Sequence, residues 1–111
     1  MWIFTDSGFI SAVRKTDRPD VITVRSRDRE SLEALTSVTG DDIKQSPHGD
    51  YPYRAFVHPD AFTQWVAEAS QSIHYDNFKS RVSHTRGYHY THALHDVWAA
   101  MLNTEDDNAR Q

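Results

Sequence analysis

Cysteine is absent from the chain. That excludes disulfides, thiolate metal sites, iron–sulfur clusters and cysteine nucleophiles, and it suits a reducing compartment. Glycine is scarce, with four residues, and none falls in a Gly-x-Ser-x-Gly elbow or a glycine-rich phosphate loop. Long apolar runs are also missing. The opening Met1-Trp2-Ile3-Phe4-Thr5-Asp6 meets an acid before a signal-peptide core could form, so a cytoplasmic protein without a membrane partner is expected. Charge of one sign is lacking too. The net charge is −4, and the last nine residues hold Glu105, Asp106, Asp107 and Arg110, half of that excess. The remainder is near neutral and lacks the electrostatic footprint of a duplex-DNA binder.

What is present reads as one α+β domain over residues 1–102, followed by an acidic flexible tail at 103–111. Trp2–Thr5 and Phe9–Arg14 flank Asp6-Ser7-Gly8 and read as a hairpin, and Val21–Arg25 adds a third strand after the turn cluster Thr16–Asp20. Ser26 or Asp28 can cap a helix over Asp28–Thr39 that carries Leu32, Leu35 and Val38 and stops at Gly40. Ile43–Gln45 is a weak strand candidate and Tyr53–His58 a stronger one. Pro59 opens a helix to Ile73, in which Phe62, Trp65, Val66, Ala69 and Ile73 form one stripe. Asp76 can cap a short helix with Phe78 and Val82 inward, and Tyr88–Leu102 makes a last helix striped by Tyr90, Leu94, Val97, Trp98 and Met101.

The expected fold is therefore an antiparallel sheet of four or five strands with three or so helices on one face, in the order β-β-β-α-β-β-α-α. Its expected core is Ile3, Ile10, Ile22, Val24, Leu32, Leu35, Phe56, Phe62, Trp65, Val66, Ile73, Leu94, Val97, Trp98 and Met101. Truncation of Trp65 or Trp98 to alanine is expected to cost about 3–5 kcal/mol.

Met1-Trp2-Ile3, Asp50-Tyr51-Pro52-Tyr53-Arg54, Tyr75-Asp76-Asn77-Phe78-Lys79 and the closing Tyr90, Leu94, Val97-Trp98 and Met101 together resemble a group of short, functionally uncharacterised proteins of actinobacteria and their bacteriophages. The resemblance spans most of the chain. These motifs are aromatic core-and-corner residues rather than catalytic ones, and the resemblance implies no activity, cofactor or functional residue.

Three constellations carry chemistry. The chain has seven histidines, and His89, His92 and His95 follow one another at three-residue steps beside Asp96. Such a series fans over about 120° of helix, so the three meet one metal ion only with further ligands such as His84 or His74, and a polar helix face accounts for them as well. His74-Tyr75-Asp76 with Asn77 and Lys79 contains acid–base types, although neighbouring side chains diverge and a helix cap explains the same residues. Between Arg14 and Arg29, six basic residues (Arg14, Lys15, Arg18, Arg25, Arg27 and Arg29) face three acids. That is the candidate nucleic-acid region, against the simpler account of a charged strand edge.

No catalytic residue, cofactor or metal is assigned. The leading expectation is a small non-enzymatic interaction module that takes a cellular or phage protein, or a second copy of itself, on Tyr88, His92, His95 and Asp96. Tyrosine and histidine suit interfaces, and that helix side has few lysines or glutamates. The alternatives are nucleic-acid binding through Arg14–Arg29 and a histidine-dependent metal protein or hydrolase.

Overall fold

The computed structural model describes residues 1–110, and it forms two compact units, Met1–His74 and Tyr75–Gln111. Gln111, the end of the expected tail, lies outside the described residues. The fold is α+β. In the first unit, strands β1 (Trp2–Thr5), β2 (Gly8–Val13), β3 (Ile22–Ser26), β4 (Lys44–Gln45) and β5 (Tyr53–Val57) pair antiparallel in the order β1-β2-β3-β5-β4. Helices α1 (Arg29–Thr39) and α2 (Pro59–Gln71) belong to the same unit.

Alternation along the strands decides which residues enter the core, because successive side chains point to opposite faces. Ile3 pairs with Ile10, Ala12 with Val24 and Val24 with Ala55, while Ile22 pairs with Val57. These residues meet Leu32 and Leu35 from α1 and Phe62 and Trp65 from α2 in one apolar cluster. Leu32 and Leu35 are wholly buried.

The helix ends are fixed by the expected chemistry. Asp28 caps α1 by accepting from the Ser31 backbone N–H at 3.2 Å, and Gly40 closes it at φ +80°, a left-handed conformation that costs glycine no Cβ clash. Pro59 occupies the first turn of α2.

Some expected core residues lie elsewhere. Phe56 alternates with Ala55 and Val57 and so points to the other face of the sheet, where the Arg18 guanidinium sits 4.0 Å over its ring. Ile73 follows the end of α2 and is exposed.

The second unit is built on α3 (Phe78–Arg86) and α4 (Tyr88–Met101), followed by a 3-10 turn at Leu102–Thr104. Asn77, not Asp76, caps α3, with its side-chain oxygen accepting from the Ser80 N–H at 2.9 Å. Val82 of α3 and Leu94 of α4 are buried, but Val97, Trp98 and Met101 are exposed and do not form the expected core. The physical reason lies in which side of α4 turns toward α3. Thr91 shares a hydrogen bond with Ser83 at 2.9 Å, and Lys79 lies 3.3 Å from the His95 ring nitrogen. The side of α4 that meets α3 thus carries Thr91 and His95 together with Tyr90 and Trp98, which contact Arg86 and Lys79, and it leaves Val97 and Met101 uncovered.

Among the described residues, no helix is long and apolar enough to cross a membrane.

Candidate functional site

The face of the sheet opposite α1 and α2 carries the most concentrated chemistry. Register places Trp2 opposite Ser11, Ser11 opposite Arg25, Arg25 opposite Arg54, and Arg54 opposite Lys44. One row thus crosses all five strands from an exposed indole to three consecutive cations. Trp2 is 68% exposed. It meets Phe9 edge to face at 5.6 Å, and Phe9 stacks on Phe4 at 4.6 Å, so the aromatic end of the row is held by its neighbours.

No strand of the sheet contains an acidic residue. Like charges directly opposite on adjacent strands repel and are destabilising. Among the described residues, Arg25, Arg54 and Lys44 form no ion pair. Their fixed contacts are with neutral groups: Arg25 Nη2 donates to Ser11 Oγ at 2.8 Å, and Arg54 Nη2 donates to the Tyr51 carbonyl at 3.3 Å.

Beyond the row, Tyr51 is buried beneath two guanidiniums, with Arg25 4.8 Å and Arg27 4.4 Å from its ring centre. Arg27 Nη1 donates to the Asp50 carbonyl.

Of the basic residues expected in the nucleic-acid region, the structure gathers Arg25 and Arg27 at Tyr51 and sets Arg18 on Phe56. Arg14 instead donates to the Pro19 carbonyl at 2.8 Å, and Arg29 pairs with Glu33 at 3.0 Å. Lys15 lies in the β2–β3 loop. Arg54, Lys44 and Ser11 lie outside the expected set. Their signal was the pairing of the Tyr53–His58 strand against Val21–Arg25, which brings Arg54 beside Arg25.

In the second unit, Tyr88, His92 and His95 line a groove of about 550 Å³ with Asn77, Lys79, Ser80, Ser83 and Thr91. Tyr88 stacks on His92 at 6.4 Å and His95 on Trp98 at 5.5 Å, and Lys79 lies 5.0 Å over Trp98. Three of the four expected partner-binding residues thus share one surface. Asp96 is exposed but does not line it.

His89 is exposed on the same helix, and no group of three histidine or acidic side chains among the described residues is arranged to hold a metal ion. His58 acts locally, accepting from the Asp60 N–H at the start of α2. Tyr75, from the second acid–base candidate, packs on Phe78 at 6.0 Å.

The fold and this surface define a small α+β protein with a cationic, aromatic-edged sheet face. No family model matches the chain, and no curated protein or solved structure matches it either.

Proposed function

We propose that this protein binds single-stranded nucleic acid on the sheet face that carries Trp2, Ser11, Arg25, Arg54 and Lys44. The observation that supports the reading most is the row of three directly opposed cations with no acid on any strand. A polyanion laid across the strands relieves that repulsion, and its bases have an exposed indole at the β1 edge on which to stack. A single strand fits better than a duplex. Stacking requires bases freed from pairing, and the net charge of −4 gives no broad positive field to hold a double helix.

A labelled single-stranded oligonucleotide followed by fluorescence anisotropy tests this reading. Binding is expected to exceed that of the matching duplex, and Trp2→Ala is expected to weaken it by about 1–3 kcal/mol, the usual worth of one base–aromatic stack. Equal affinity for single strand and duplex, together with an unaffected Trp2→Ala variant, contradicts it.

A second reading, a protein-interaction module, is favoured by the exposed Val97, Trp98, Met101 and Leu102 beside the histidine-lined groove. Its partner is a cellular or phage protein or a second copy of the chain, and sedimentation of wild type against Trp98→Asp separates self-association from a monomer.

A further inference from the structure

Three of the cations converge instead of spreading evenly. Arg25 and Arg27 both lie within 5 Å of the Tyr51 ring centre, and Arg54 binds the carbonyl of the same residue. Tyr51 is only 6% exposed, so it serves as a rigid post with two guanidiniums at its ring and a third at its main-chain carbonyl.

Each guanidinium has five N–H donors, and the tethers to Ser11 Oγ, the Asp50 carbonyl and the Tyr51 carbonyl use only a few of them. The Nε atoms of Arg25 and Arg54 are buried without an acceptor. Unmet buried donors on charged groups are costly, and clustered like charges add to that cost. An anion with several oxygens offsets the clustered charge and takes up the Nη donors that the tethers leave.

The loop between β4 and β5 gives this cluster a wall. Ser46 N–H donates to the Pro52 carbonyl at 2.9 Å, closing the loop base, and Ser46 Oγ bonds the His48 carbonyl. Gly49, at φ +96°, comes so close to Arg54 that a Cβ there would stand 3.3 Å from Nη2. The loop is thus seated against the guanidinium cluster and blocks that side.

An internal phosphodiester carries one charge and must continue in two directions. A phosphomonoester carries about −1.5 to −2 charge, presents three acceptor oxygens and leaves in one direction only. Three forks against a wall match the second. We infer that Arg25, Arg27 and Arg54 around Tyr51 clamp a terminal phosphomonoester, so that the ligand is the phosphorylated end of a single strand. This inference rests on the single-strand reading above.

The test uses the full chain and one labelled oligonucleotide sequence prepared with a 5′-phosphate, with a 3′-phosphate, or with hydroxyls at both ends. One phosphorylated form is expected to bind about tenfold tighter than the hydroxyl form, the return of about 1.4 kcal/mol from an added set of charge-assisted contacts. Arg27 lies outside the strands and is exposed, so Arg27→Ala, checked for folding by circular dichroism, is expected to erase that preference while keeping hydroxyl-end binding. Inorganic phosphate at millimolar concentration is expected to compete with the phosphorylated form more than with the hydroxyl form.

Equal binding of all three forms overturns the clamp and leaves single-strand binding standing. A preference that survives in folded Arg27→Ala overturns it too. Failure of every oligonucleotide to bind overturns the single-strand reading itself, and the clamp with it.

Discussion

Leu32 and Leu35 are enclosed between the sheet and α2, so truncation of either leaves a cavity that rigid neighbours fill only in part. Leu35→Ala is expected to destabilise the chain by about 2–5 kcal/mol, read as a lowered urea midpoint with an unchanged slope. At the other extreme of burial, Arg110 binds Glu105 through two nitrogens, one of them Nη2 at 3.0 Å from Oε2. The hydrogen bonds from Arg110 hold the Glu105 carboxyl below its ordinary pKa, and the same contact raises Arg110. A depressed carboxyl contributes whatever stability it has above the ordinary carboxylate range and loses it as pH falls through the lowered value. The pair lies at the surface, so solvent and salt screen it and the effect stays local. Arg110→Ala is expected to return the Glu105 titration to the usual range in a carboxyl-detected NMR experiment, with no change in melting temperature. An unmoved titration would show that the pair does not persist in solution.

At the scale of elements, patterning was legible wherever one face had an unambiguous partner. The hairpin, the third strand, Asp28 and Gly40 at the ends of α1, and Pro59 at the start of α2 were all readable, because each follows from local backbone chemistry. The phase of β5 was misread. Phe56 is a large apolar residue, yet the core takes Ala55, Val57 and part of Tyr53 from the alternate positions, and no period-2 pattern reveals which face is the inner one. The α4 stripe failed for a related reason. Periodicity locates a stripe but does not say how much of it a neighbour covers: Leu94 is buried and Tyr90 and Trp98 meet Arg86 and Lys79, while Val97 and Met101 are left exposed. Likewise, the cationic row depends on the register of β3 against β5 and β4, a nonlocal fact that the Arg14–Arg29 window could only half capture. Tryptophan accessibility checks the arrangement of these elements. Trp65 is expected to be shielded from acrylamide, while Trp2 and Trp98 are quenched. Trp98→Ala is expected to cost about 1 kcal/mol or less, since Trp98 meets His95 and Lys79 at a half-exposed site. A loss of several kcal/mol would place Trp98 in a core after all.

For the whole molecule, the distribution of charge matters more than its sum. The chain is acidic overall, yet the charged residues of its strands are all basic, and they stand side by side. The account therefore requires binding that depends on a few phosphates rather than on a general field. Each phosphate neutralised on a single strand contributes a slope of about −0.7 to the dependence of log affinity on log salt. The most direct measurement is that salt dependence for a hydroxyl-ended single-stranded oligonucleotide, with wild type beside folded Arg54→Gln. Three contacts, from Arg25, Arg54 and Lys44, predict a slope of about −2 for wild type, reduced by about 0.7 in the variant. No binding at low salt, or a slope that the substitution leaves unchanged, would contradict the proposal that this sheet face holds a nucleic-acid strand.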